Sequence, residues 1–126
     1  MSMDYKSPIT IRDSAVLTGS YVAGTVINTG GQFNQLVLNM FYTQGSLTSL
    51  QIKVEFSADN VTFVQETFQS ISGGTATETQ GEHTFTGTGN FSINIPNVQK
   101  FIKVSAKGTG TVTGSSLSIQ AILART

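Results

Sequence analysis

Apolar and polar residues alternate along much of the chain, and a period of two indicates β-strands. The clearest segment is 50–57, whose apolar set is Leu50, Ile52, Val54 and Phe56. Such a strand has one apolar and one polar face. We predict that this apolar set faces the core, because a shift by one residue would bury Lys53 and Glu55 instead.

A second alternating segment, residues 35–43, carries apolar residues on both faces. One face holds Leu36, Leu38, Met40 and Tyr42. The other face holds Val37 and Phe41. We therefore predict a central strand whose second face is covered by an arm, a loop or another subunit. This pattern also leads us to expect a stable homo-oligomer, with a trimer as the favoured form.

Further strands are predicted at regular spacing, separated by short clusters rich in glycine and asparagine. They cover residues 64–71, 83–86, 91–95, 101–106 and 117–123. Seven or more strands without a helical pattern predict an all-β fold, an antiparallel β-sandwich in the form of a jelly roll of about eight strands. The segment 72–81 is the longest predicted loop.

The first 13 residues differ from the remainder of the chain, so we divide it into an N-terminal arm or edge strand, 1–13, and a single β-sandwich domain, 14–126. Pro8 cannot donate a ladder hydrogen bond, while Ile9 and Ile11 alternate with polar residues. We predict that this segment contacts another subunit or a capsid rather than hanging free. The candidate contact residues are Tyr5, Pro8, Ile9, Ile11, Val37 and Phe41.

Composition excludes several classes of function. The chain has seven basic and seven acidic residues, no cysteine and one histidine, whereas serine and threonine total 32. Nucleic-acid binding is not expected, because it needs clustered positive charge. Membrane insertion is not expected either, because it needs a long apolar span. Disulfides and thiolate chemistry are absent. The N-terminus also lacks the apolar run of a cleaved signal.

The sparse titratable residues give little support for catalysis. His83 and Glu82 are adjacent, so on a strand they point to opposite faces and cannot easily share a metal ion. Glu55 and Glu66 could approach as a glycosidase pair, but a solvated charge ladder fits them better. The glycines of segment 108–110 lack the lysine and helix of a phosphate loop. We expect no enzymatic activity, no metal and no cofactor.

One local motif is a turn, Ser57-Ala58-Asp59-Asn60-Val61-Thr62-Phe63, in which Asp59 and Asn60 tolerate left-handed backbone. A minority interpretation is calcium binding through Asp59. A turn of two residues would set Lys53 opposite Glu66. A turn of three residues would set Ile52 opposite Phe68 and Phe56 opposite Val64, which we favour because it pairs apolar residues.

This turn motif and the strands that flank it carry a family resemblance. The strand 50–57 running into the turn, the segment 101–111 and the last strand 117–124 resemble small accessory proteins of tailed-bacteriophage virions, particularly capsid decoration or cement proteins. The resemblance implies a non-enzymatic protein in many copies, a trimer that clamps neighbouring subunits of the major capsid protein. It also implies a place on the outer capsid surface after assembly in the host bacterial cytoplasm.

Other functions stay open at this point. The chain could be another virion component, from the head–tail junction or the tail. A discoidin-like carbohydrate-binding module is a further alternative, because that sandwich shares the turn motif. It would need exposed aromatic platforms, for which the sequence offers no tryptophan and only Tyr5, Tyr21 and Tyr42.

Overall fold

The computed structural model describes residues 4–5, 8–96 and 98–125, with the backbone alone for residues 4, 5, 69 and 70. Over these residues the secondary structure consists of thirteen strand segments and no helix. They are β1 (Asp4–Tyr5), β2 (Ile9–Ala15), β3 (Val22–Ala23), β4 (Ile27–Asn28), β5 (Gln35–Thr43), β6 (Leu47–Ser57), β7 (Val64–Gln65), β8 (Thr67–Ser72), β9 (Thr75–Gln80), β10 (His83–Phe85), β11 (Gly89–Pro96), β12 (Phe101–Gly110) and β13 (Ser116–Arg125). The all-β prediction is confirmed.

The strands form two sheets and a separate ribbon, and the paired strands are antiparallel. In the first sheet the order is β2–β13–β5–β11, and β1 also pairs with β13. In the second sheet the order is β10–β6–β12–β3. In this sheet β3 and β4 both pair with the same edge of β12, and β7 pairs with β6. The ribbon is the hairpin of β8 and β9.

This strand order is that of a jelly roll. The chain from β2 to β6 pairs with the chain from β10 to β13: β2 with β13, β3 and β4 with β12, β5 with β11, and β6 with β10. The chain is thus one long antiparallel hairpin rolled into two sheets, and residues 58–82 form its tip. The predicted antiparallel jelly-roll sandwich is confirmed. The segments outnumber eight because short pieces share a position in a sheet and because β8 and β9 form the separate ribbon.

The core lies between the inward faces of the two sheets. Its members from the two longest alternating patterns are Leu36, Leu38, Met40, Tyr42, Leu50, Ile52 and Val54. Phe56 packs against this core while half-buried, so the predicted inward face of β6 is confirmed. On the side of β10 and β11, the rings of Phe85 and Phe91 stack with their centroids 4.5 Å apart. This contact joins the open edges of the two sheets.

The predicted partner of β6 is correct at one end and wrong at the other. Phe56 lies opposite Val64, as the three-residue turn requires. Ile52, however, lies opposite His83 on β10. Phe68 belongs to the ribbon, where it is 41% exposed. The chain leaves the sheet here because neither face of β8 carries more than one large apolar residue, too few to line a core.

Two predicted loops are strands in the structure. The segment 72–81 contains β9, which pairs with β8 from Ser72↔Thr75 to Thr67↔Gln80. Its threonines suit a strand, because their branched side chains favour the pleated conformation. Residues 108–110 belong to β12 and face β6, with an irregular register between Thr109 and Gly110.

Two turns approach each other closely at one end of the sandwich. Gly45, between β5 and β6, has φ of 57°, the left-handed conformation. A Cβ atom at this position would lie 2.6 Å from the carbonyl oxygen of Thr113, in the turn between β12 and β13. The amide of Ser46 donates to that same oxygen over 3.0 Å. Glycine is therefore required by both the backbone angle and the space.

Candidate functional site

The described strands of the predicted N-terminal arm, β1 and the first part of β2, lie along the edge of the chain's own first sheet. β2 pairs with β13, and the predicted boundary between residues 13 and 14 falls inside β2. Ile11 is 3% exposed and belongs to the core of its own subunit. Ile9 is half-buried against the same core and Pro8 is exposed. The side chain of Tyr5 lies outside the described residues.

The outward face of the first sheet carries the other two predicted contact residues. Phe41 is 51% exposed, and Val37 on the same strand is half-buried. The outward positions of β13, β5 and β11 are uncharged, and we call them the uncharged face. They are Gln35, Val37, Asn39, Phe41, Thr43, Asn90, Ser92, Asn94, Pro96, Ser116, Ser118, Gln120 and Ile122.

A shallow depression lies beside Phe41 on the uncharged face. Its volume is about 310 Å³, and its lining combines amide groups, a hydroxyl and the ring of Phe41. The lining residues are Asn39, Met40, Phe41, Asn90, Phe91, Ser92 and Gln120. This chemistry can accept an aliphatic side chain on the ring of Phe41 and hydrogen-bonding groups around it.

The β8–β9 ribbon projects from the tip of the long hairpin. The described side chains of both strands are exposed. Ile71, near the turn at Gly73 and Gly74, is 72% exposed and pairs with Ala76. The ribbon therefore offers an apolar end on an otherwise polar strip.

Side chains at the base of the ribbon attach it to the second sheet. Nε2 of His83 lies 2.7 Å from Oε1 of Glu66. The ring of Phe68 meets that of His83 edge-on, with centroids 5.3 Å apart. Nε2 of Gln65 donates to the carbonyl oxygen of Gly81 over 2.8 Å. Sequence reasoning missed this attachment, because residues 65–68 and 81–83 come together only through the ribbon.

The histidine–glutamate pair has no hydroxyl partner among the residues described. The hydrogen bond that the ring of His83 makes there is the one to Glu66. Glu55 points instead toward lysines, with Oε1 3.7 Å from Nζ of Lys53 and 4.0 Å from Nζ of Lys103. The two glutamates predicted as a possible pair thus have different partners.

Neither a metal site nor a membrane-spanning helix is found in the described ranges. These residues contain no cluster of three or more histidine, aspartate or glutamate side chains that could hold a metal ion. Within residues 4–5, 8–96 and 98–125 there is also no helix with the length and hydropathy needed to cross a bilayer.

The outward face of the second sheet carries a group of lysines that the sequence did not reveal. Nζ of Lys53 and Nζ of Lys107 lie 4.4 Å and 4.9 Å from the ring centroid of Tyr21. Nζ of Lys103 lies 4.2 Å from the ring of Phe63. Each of these ammonium groups therefore rests on an aromatic ring. The outward face of the second sheet therefore carries charged groups that the uncharged face lacks.

The tyrosines with described side chains are poor platforms for a sugar. Tyr42 is 2% exposed in the core. The ring of Tyr21 is covered by two lysines, and the pKa of its hydroxyl is raised, first by burial and then by the negative charge of Glu82. A carbohydrate-binding module needs open rings, so these two tyrosines do not supply that chemistry.

The motif at residues 57–63 is a hydrogen-bonded turn. Oδ1 of Asp59 accepts from the amides of Val61 and Thr62, each over 2.9 Å, and from the hydroxyl of Ser57 over 2.9 Å. Asn60 has φ of 61°, the left-handed conformation expected of it. Oδ1 of Asp59 is thus engaged in the hydrogen bonds of the turn.

We expect Asp59→Ala to lower stability, with a loss that depends on pH. The hydrogen bonds from Thr62, Val61 and Ser57 lower the pKa of Asp59 below its ordinary 3.8. The contribution of this carboxylate is therefore complete above that value and is lost as pH falls through the lowered pKa.

Urea unfolding of the native protein and of Asp59→Ala, at about pH 7 and about pH 3, measures this effect. The stability difference between the two should shrink at the lower pH. The control is Asp13→Ala, which removes an exposed carboxylate of β2. A difference that stays constant with pH would contradict the assignment.

Comparison with solved structures finds chains of infectious bursal disease virus. VP2 in the crystal structure of a subviral particle is 15% identical, with a TM-score of 0.50 over 97% of this chain and 32% of that chain. The Gx strain gives 15% identity, a TM-score of 0.47, and coverage of 98% and 33%. The Gt strain gives 12% identity, a TM-score of 0.49, and coverage of 96% and 32%.

The chain spans about a third of the length of these viral chains. At 15% identity, the VP2 likeness shows a shared fold, a β-sandwich that occurs in a viral particle. The resemblance to tailed-bacteriophage decoration proteins stays a prediction. No protein-family description and no curated protein matches the chain.

Proposed function

We propose that this chain is a non-enzymatic structural protein of a virion, which decorates and stabilises a bacteriophage capsid by bridging neighbouring capsid subunits. The observation that carries the proposal is the jelly-roll strand order of this chain, together with its likeness in fold, over 97% of its length, to VP2 in a subviral particle. A sandwich of this kind presents rigid outer faces that can be tiled against neighbours.

The described surface offers two places for such contacts. The uncharged face, with Phe41 at its centre, can be buried without the cost of removing ionic groups from water. The ribbon projects beyond the sandwich with Ile71 exposed. These features support a protein that works through contacts with copies of itself, as a trimer, and with a major capsid protein on the outer surface. Assembly would take place in the host bacterial cytoplasm.

The alternative virion roles use the same surfaces. A component of the head–tail junction or the tail would differ in where it sits on the particle and in its copy number. The carbohydrate-binding alternative has weaker support, because Tyr42 is buried and the ring of Tyr21 is covered by lysines.

Cryo-electron microscopy of particles with and without the protein tests the proposal. Particles that lack the protein should gain density across the junctions of capsid subunits, in fixed stoichiometry, when the purified protein is added. Density confined to the tail or the head–tail junction would favour the alternative. Failure to sediment with particles at saturating concentration would overturn the virion role.

A further inference from the structure

The ribbon lies outside both sheets. Within the described residues β8 and β9 pair with each other and with no other strand. An isolated two-stranded hairpin is only marginally stable in water, and both of its long edges present unpaired backbone groups. The contacts of Gln65, Phe68 and His83 hold only the base of the ribbon. A surface outside the subunit is therefore needed to hold the remainder.

The chemistry of the ribbon indicates what that surface must be. Ile71 and Ala76 form an apolar end, and the remaining residues are mostly hydroxyl and amide groups. Glu78 is the only ionisable residue among residues 67–80. A matching surface accepts one aliphatic group, offers hydrogen bonds around it and contains little charge.

The uncharged face meets these requirements. It has the depression of about 310 Å³ beside Phe41, lined by amides and a hydroxyl. The ribbon is about 20 Å long from its six-residue strands, and the three strands of the uncharged face span about 10 Å, so the ribbon can cross them. The lysine-bearing face fits less well, because covering Lys53, Lys103 and Lys107 would remove charged groups from water.

We propose that the ribbon of one copy lies across the uncharged face of a second copy, with Ile71 seated in the depression beside Phe41. The inference rests on the self-association that belongs to the proposed function. It assigns that self-association to the ribbon of one copy and the uncharged face of the next. Because these surfaces differ, each subunit gives one ribbon and receives one. A closed ring, such as a trimer, satisfies all of them.

Cross-linking between two variants tests the contact directly. The chain has no cysteine, so Ile71→Cys and Phe41→Cys each introduce the single thiol of their chain. Mixed and treated with a short bis-maleimide, they should give a covalent pair containing one copy of each. Val61→Cys, which replaces an apolar residue 80% exposed, is the matched control and should give no pair with Phe41→Cys. Absence of the mixed pair, or efficient pairing of Ile71→Cys with itself, would overturn the contact.

Light scattering separates failure of this contact from failure of self-association. Ile71→Glu and Phe41→Glu should each reduce the oligomer to the monomer mass, while Val61→Glu should leave it unchanged. All three residues are exposed, so the thermal transition of each variant should show that the sandwich is intact. An oligomer that survives both substitutions overturns the inference and leaves self-association standing. A monomer in the unmodified protein at micromolar concentration overturns both.

Discussion

Leu38→Ala should lower the free energy of unfolding by about 2–5 kcal/mol. Leu38 is fully buried, and in the first sheet it lies between Ile93 and Ala121. Removing its branched end would lose the burial of that group and leave a cavity between the sheets. The packed strands on both sides limit how far the site can collapse.

Urea unfolding of Leu38→Ala measures this loss, and Thr43→Ala is the control. Thr43 lies on the same strand with an exposed side chain, so its replacement should cost less than about 1 kcal/mol. Equal losses for the two variants would show that the assignment of the inward face of β5 is wrong.

Gly45→Ala should cost about 2–5 kcal/mol, the second large effect. A side chain in the left-handed conformation costs about 1–2 kcal/mol. Crowding against the backbone at Thr113 adds about 1–3 kcal/mol, because neither turn can move without disturbing a strand.

The matched control for this prediction is Gly30→Ala. Gly30 has a similar φ of 67°, but a Cβ atom there would meet nothing within 4 Å. The free energy of unfolding of this variant should therefore fall only by the cost of a side chain in the left-handed conformation, about 1–2 kcal/mol. Thermal and urea unfolding of both variants isolate the effect of the close approach. Identical losses would mean that the two turns do not meet in solution.

The sandwich could be predicted from the sequence because its strands have one buried face. The alternation in β5 and β6 identified their inward residues, and the same pattern set Phe56 opposite Val64. The turn at Asp59 was equally readable, since its hydrogen bonds are made within five residues. Sequence patterns predict a structural feature reliably where the residues that form it lie close together in the sequence.

Features that depend on distant partners could not be predicted. The alternation of Ile9 and Ile11 was clear, but nothing in it identifies β13 as the strand beside it. Residues 64–71 were predicted as a strand, but β9 was predicted as a loop because it has no buried face, and a period of two is informative only where one face is buried. The lysine group depends on the register that sets Lys103 beside Glu55.

The pairing of the first long strand with the last also determines when the chain can fold. Ala15 lies opposite Leu117, about a hundred residues away. At a synthesis rate of about 5–20 residues per second, Ile9 and Ile11 wait about 5–20 seconds for β13 to appear. Contacts between residues so distant in sequence also form slowly, in about milliseconds to seconds for all-β folds. The first sheet can therefore be completed only once β13 has been synthesised, and the nascent chain exposes apolar strand residues until then.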